Sequence, residues 1–278
     1  MLLHEPIATA SWRAALALTY ELRDGRTVLA SRRHDGPLVV QKPLYSEGPA
    51  ICHTILVHPP AGLVSGDELE INATLGTGSH ALLTTPGAGK WYRSSGPFAR
   101  QSVNLQIGAG AVLEWLPQET IFFNETRADV RLDVSLATDA SFIGWDVFCF
   151  GRTASRERFE RGECRLSTTI RQGGRPVWME RGIVRGGDPL LSAPAGLAGE
   201  PVTGVLVAVG CGVTTALLQA CRAPRPRTGD GAVTMLPGVL VARYLGPSSE
   251  AARAYFIELW SLIRPALIDR AANIPRIW

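Results

Sequence analysis

Apolar and polar residues change places at every step through long stretches of this chain. In ELEINATL, Leu69, Ile71, Ala73 and Leu75 alternate with Glu68, Glu70, Asn72 and Thr74. SVNLQI repeats the pattern through Val103, Leu105 and Ile107, and DVRLDVSL through Val130, Leu132, Val134 and Leu136. Successive side chains of an extended strand point to opposite faces, so each segment reads as a strand with one buried and one wet face. The segments also recur. INATLGTGSHALL, VNLQIGAGAVLEW, LDVSLATDASFIGW and STTIRQGGRPVWM share an alternating strand, a tight turn and a second strand. Their last apolar residues before the turn, Leu75, Ile107, Leu136 and Ile170, mark a period of about 30 residues. One such unit alone leaves an apolar face bare, so the units are expected to stack. The fold class this predicts is mainly β: a stacked or coiled multi-strand architecture with a few helices.

Two stretches depart from alternation. Pro201 to Cys221 carries no charge and is long enough to span a bilayer. Gly204, Gly210 and Gly212 interrupt it, however, and Thr203, Thr214, Thr215 and Gln219 stud it. The β-branched VTGVLVAVG reads as a buried strand and TTALLQACR as a short helix, with no membrane span. In SSEAARAYFIELWSLIRP, Ala252, Tyr255, Phe256, Leu259 and Ile263 fall at helical spacing after two serines. This predicts a C-terminal amphipathic helix docked on the sheets and ended by Pro265. RAPRPRTGDG, residues 222–231, reads as a loop inside one domain, so 1–278 is expected to be a single domain.

Composition narrows the partners. Hydrophobic residues, at 46%, suffice for a core, while charged residues, at 19%, fall below the usual quarter and favour a chain that covers part of itself with another protein. A net charge of +3 is too small to imply nucleic acid. The five cysteines, Cys52, Cys149, Cys164, Cys211 and Cys221, are odd in number and form no C-x-x-C pair, so neither a disulfide framework nor a structural zinc site is signalled. No basic segment followed by an apolar run opens the chain, and the expected compartment is the cytoplasm.

Motifs for chemistry are sparse. Gly87-Ala88-Gly89-Lys90 suggests a phosphate loop, but Thr84 stands at the first glycine position and Trp91 at the hydroxyl position of Gly-x-x-x-x-Gly-Lys-Ser/Thr. No Gly-x-Ser-x-Gly elbow or His-Glu-x-x-His exists. Cys52, His53, His58 and Asp67 are suitable metal ligands by type. The odd spacing of the two histidines would put them on opposite faces of a strand, and the residues alone favour a core cysteine and histidines bonded to backbone. Glu114, Glu119, Asp146, Glu180 and Asp188 lie among apolar or aromatic neighbours, where an acid must be paired, protonated or ligated. Asp67 and Asp188 follow glycine and read as turn formers. A β-rich enzyme, either carbohydrate-active or a metallohydrolase, is the competing class.

Longer blocks are more specific. GPLVVQKPLYSEG, CHTILVHPPAGLVSGDELEI, LLTTPGAGKWYRSSG, LEWLPQETIFFNE, FIGWDVFCFGR, VARYLG and the terminal PRIW together resemble the urease accessory protein family UreD, called UreH in some bacteria, nearly end to end. The chain departs from that family at Ser65, where glycine is common, at Gly89, often Thr or Ser, and at Asp146, often Glu. The resemblance implies a single UreD-like domain with a coiled β fold and a non-enzymatic scaffold in urease maturation. It implies binding to the urease apoprotein and to UreF, and through UreF to the GTPase UreG. It implies no permanently bound cofactor, but transient Ni²⁺ on its way to urease. His53, His58, Asp67, Asp146 and Glu180 are the expected residues of such a nickel path, since isolated carboxylates and imidazoles admit an ion and release it more readily than a closed cage.

Overall fold

The computed structural model describes residues 11–278; the opening segment read above for a secretory leader, and the first ten residues of the expected domain, lie outside the described part. Among the described residues, seventeen strands form two sheets, with three α-helices. Sheet I runs in the order β14 (Arg175–Arg185), β13 (Glu163–Gln172), β11 (Arg127–Leu136), β8 (Ala99–Ile107), β5 (Glu68–Leu75), β1 (Arg13–Arg23) and β2 (Arg26–Asp35). Sheet II runs β16 (Asp230–Leu236), β17 (Val239–Gly246), β15 (Val202–Val209), β12 (Ser141–Phe150), β9 (Val112–Trp115), β6 (His80–Thr84), β4 (Ile51–Val57) and β3 (Val39–Val40). The short strand β10 (Thr120–Phe122) pairs with β12, and β7 (Gly89–Trp91) pairs with β10.

The repeat becomes a coil. β5, β8, β11 and β13 pair in parallel in sheet I, as do β4, β6, β9 and β12 in sheet II, so the chain winds from one sheet to the other and back. The first three turns of the repeat are therefore corners between layers, not hairpins. Only the fourth is a hairpin: Gly173 and Gly174, with φ of 56° and 80°, fold β14 back antiparallel on β13, as a two-residue turn with both φ positive demands. Leu75, Ile107 and Leu136 form one cross-strand row, as the repeat predicts, and Tyr20 of β1 extends it. Ile170 falls two residues out of that row; it pairs with Val134, and Leu136 meets Gln172. On the outer face Asn104 donates to Asn72 on the adjacent coil at 2.9 Å.

Sheet II is covered on both sides. Its inner residues, among them Leu83, Leu113, Phe142, Phe150 and Val207, pack against sheet I. Its outer residues, among them Leu82, Ile143, Trp145, Leu206 and Leu240, pack beneath α2 (Thr215–Cys221) and α3 (Ser249–Ile268). The strand-then-helix reading of 201–221 holds in β15 and α2, and no helix among the described residues is long and apolar enough to cross a membrane. The 222–231 loop is shorter than expected, because Asp230 already pairs with Leu245. α3 begins as predicted, Ser248 accepting from the Ala251 N–H. It does not stop at Pro265 but runs to Ile268, where Asp269 closes it with φ 53°. Tertiary contacts on both sides of the proline carry it through: Ile263 and Leu267 are buried in the outer core, and Arg264 bonds the Ala271 carbonyl.

A buried charge cluster fastens α3 to sheet II. Glu114 and Arg264 side chains are both fully enclosed, with Arg264 Nε 3.0 Å from Glu114 Oε2. Trp260 Nε1 donates to the same carboxylate at 2.7 Å, and His80 Nε2 lies 2.8 Å from it. Arg264 also holds Glu47 through Nη1 at 2.6 Å and Nη2 at 2.8 Å, and Glu47 reaches His53 Nε2 at 2.7 Å. The C-terminal Trp278 seals the cluster, its ring centroid 5.6 Å from Trp145 and 6.1 Å from Trp260, with Nε1 donating to Thr84 at 2.8 Å. Burial raises the Glu114 carboxyl pKa, but His80 and Arg264 outweigh it and the net direction is down. Burial also opposes ionisation of Glu47, yet His53 and Arg264 depress it to about 2.

Removing one partner of an enclosed pair strands the other charge, so Arg264→Met is expected to cost about 3–5 kcal/mol in urea unfolding, and the double variant Arg264→Met/Glu114→Leu to recover part of that loss. Because the folded carboxyls titrate below their unfolded values, their stabilisation is present above pH 4.5, the unfolded value, and is lost as pH falls toward 2. A urea midpoint that stays level down that range would contradict the ionised cluster.

Candidate functional site

The two sheets do not close fully on each other. Between β11, β13 and β14 on one side and β12, β15 and β17 on the other lies a cavity of about 250 Å³, lined by apolar residues such as Val130, Phe148, Leu166 and Val205. Four charged residues reach its lining: Asp146, Glu180, Arg181 and Arg243. Asp146 and Arg243 come from sheet II, where both pair with Val205 in the intervening strand, so the three share one row and one face. Glu180 comes from β14 in sheet I. Its Oε1 accepts from Arg243 Nη1 at 2.8 Å, while its Oε2 is buried with no hydrogen-bond partner. Asp146 pairs with no cation among the described residues. Burial pushes its pKa up to about 7; the Trp115 indole opposes that shift and Glu180 adds to it.

The structure thus brings together two of the five residues expected from the sequence. Asp67 sits elsewhere, before β5, and its carboxylate closes a turn: Oδ1 accepts from the Trp12 N–H and Oδ2 from the Val64 N–H, both at 2.9 Å. His58 follows β4, and its pKa is lowered by burial, against an upward pull from Asp67. His53 is buried in β4 and bonded to the Glu47 carboxylate, not to backbone as its neighbours suggested. Asp188 is a cap, accepting from the Leu190 N–H at the start of α1 (Pro189–Ser192). No three metal-capable side chains converge among the described residues.

Sequence reasoning missed two features. Glu114 was legible as an acid needing a partner, but Arg264 lies 150 residues away and nothing local connects them. Arg243 stands in VARYLG as an ordinary polar residue of an alternating strand, and only the register with Asp146 gives it a role. In the stretch that mimicked a phosphate loop, Gly87 lies in the bend, but Gly89 opens β7 and pairs with Thr120. Arg93 takes Glu125 as its partner at 2.5 Å.

Coiled strands closed by a helical layer, around an internal cavity whose carboxylates lack a full ligand set, define a β-solenoid-like protein. Comparison then gives the family. The model of the UreD urease accessory protein family matches residues 13–278. A urease accessory protein UreD from Azoarcus sp. (strain BH72) is 54% identical, covering 98% of this chain and 95% of its own. One from Dechloromonas aromatica (strain RCB) is 52% identical, covering 99% and 96%. One from Janthinobacterium sp. (strain Marseille) is 50% identical, covering 96% and 91%. The chain belongs to the UreD family of urease accessory proteins.

Two outcomes follow from the geometry. Asp67→Ala removes the acceptor of two backbone N–H groups and is expected to cost about 1–3 kcal/mol, with faster amide exchange at Trp12 and Val64, whereas a turn held by its glycine alone would show neither change. Asp146 ionises near 3.8 when unfolded and near 7 when folded, so ionising it costs the native state progressively as pH rises between those values. Asp146→Asn should therefore gain stability over the parent at pH 8 and show no such gain at pH 3.5, as read by urea midpoints.

Proposed function

We infer that the chain acts as a non-enzymatic scaffold in urease maturation, as one UreD-like domain over residues 1–278. In this reading it works in the cytoplasm, binds the urease apoprotein and UreF, reaches the GTPase UreG through UreF, and assists nickel delivery. The observation that carries it is the near end-to-end likeness to proteins named for a role accessory to urease. Such names support a supporting role over the β-rich enzyme considered from the sequence.

Nickel is cargo here, and the cavity between the sheets is the part of the fold suited to it. Ni²⁺ binds nitrogen, oxygen and sulfur ligands tightly, so a path must offer few protein ligands at each step and leave the rest to water. Asp146 and Glu180 supply two carboxylates in one enclosed space, without a third metal-capable residue beside them among the described residues. Asp146, titrating near 7, would lose a proton as an ion arrives and regain it on departure. His58, whose imidazole feels the Asp67 charge, is the candidate for a second step. For His53 and Asp67 a structural role is favoured by the bonds they already make.

The test is the double variant Asp146→Asn/Glu180→Gln, co-expressed with apo-urease and the accessory partners. We expect a complex that forms as the parent does but loads urease with at least about tenfold less nickel, the scale of losing two charged ligands. Equal nickel content in urease, with the complex intact, would leave the scaffold and remove the path. Failure to capture apo-urease or UreF in a pull-down would remove the scaffold itself.

A further inference from the structure

We propose that Arg243 is a two-position electrostatic gate on the carboxylate pair of the internal cavity, and that Asp230 is its outer seat. The proposal rests on the nickel path inferred above and adds its control. Arg243 lines two spaces. One is the internal cavity shared with Asp146 and Glu180; the other is an outer groove of about 300 Å³ lined by Thr203, Asp230, Gly231 and Ala232. Leu197 and Thr203 border both spaces as well, so Arg243 stands in the partition between them.

In the structure the guanidinium is turned inward, on Glu180 Oε1. That position neutralises the cavity. Asp146 and Glu180 are its two acids, and Arg243 offsets one. Arg181, the fourth charged residue of the lining, is exposed and also borders the wet groove on the opposite face of sheet I. A divalent cation entering now would meet a resident positive charge beside its ligands. At a separation of about 5 Å and an effective dielectric of about 20, each unit of like charge weakens binding by more than about tenfold. The inward position is thus closed to cations.

The geometry also supplies an open position. Ala232 on β16 is the cross-strand partner of Arg243, and Asp230 lies two residues from Ala232 on the same strand and face. A diagonal neighbour of that kind sits about 7–8 Å away between Cα atoms, within reach of a long side chain. Asp230 forms no ion pair with the described residues and is exposed. Half of the Arg243 side chain is exposed already, and turning outward gives up its place over the Trp178 ring, 5.8 Å from the centroid. The swing exchanges one anionic partner for another and leaves Asp146 and Glu180 without a cation. The Glu180 oxygen that has no partner now then belongs to a two-carboxylate seat for Ni²⁺.

Nickel binding to the untagged full chain, measured by equilibrium dialysis at pH 7.5, tests the gate. Arg243→Gln is expected to bind Ni²⁺ at least about tenfold more tightly than the parent, from removal of one opposing charge. The gain should vanish in Arg243→Gln/Asp146→Asn/Glu180→Gln. Arg243→Lys, which keeps the charge, should bind as the parent does. Asp230→Asn should bind more weakly than the parent, because the open position has lost its partner. Parent-like affinity in Arg243→Gln, or a gain that survives loss of both carboxylates, overturns the gate. Should Arg243→Gln fold poorly, Asp230→Asn carries the test on a surface residue, and unchanged nickel binding there overturns it. Urease loading is a separate readout: full loading by Asp146→Asn/Glu180→Gln ends the path, whereas parent-like affinity in Arg243→Gln ends the gate and leaves the path standing.

Discussion

The central strands of sheet II have no wet face. Sheet I packs on one side of them and α2 and α3 on the other, and the polar side chains they carry must find their partners inside the protein. This condition explains why these strands abandon alternation: ICHTILV is buried at six of seven positions and SFIGWDVFCF at eight of ten. It also explains why the C-terminal segment is tied down so heavily. Without α3 and Trp278, Glu114 would be a carboxylate on a bare apolar surface; with them, it is enclosed by Arg264, Trp260 and His80.

The two acids of the central strands of sheet II meet that condition in opposite ways. Glu114, on the outer face, is given a complete set of donors, and its ionised form is favoured. Asp146, on the inner face, is given an apolar cavity and a second acid, and its neutral form is favoured up to about pH 7. The nearest arginine in its row is engaged by Glu180 instead. Complete satisfaction makes a structural clamp, while incomplete satisfaction leaves a carboxyl that changes protonation near neutral pH. The two faces of the same strands thus hold their acids in opposite states of charge.

The sequence made much of this legible. The register row of Leu75, Ile107 and Leu136 follows from alternation and a regular period, because both are local properties of the backbone and its turns. The end of α3 was misjudged at Pro265, since local propensity carries no information about Leu267 packing below the helix or Arg264 bonding across it. Ile170 was aligned two residues out of row for a related reason: the fourth turn is a hairpin that need not keep the step of the three interlayer corners. For the site, Asp146 and Glu180 could be named as acids in apolar surroundings, but so could Glu114, Glu119 and Asp188, and no spacing separated them.

What the sequence by itself determined was the coil: side chains with period two, glycine at turns, and apolar residues enough for two cores dictate stacked strands without reference to distant neighbours. What only the tertiary structure decided was which charges meet. Glu114 and Arg264 stand 150 residues apart, Glu180 and Arg243 are 63 apart, and Asp146 and Arg243 are aligned only because β15 lies between their strands. Coulomb energy depends on separation in space and on the surrounding dielectric. Neither is a property of sequence distance, and so the fold was written along the chain while the site was written across it.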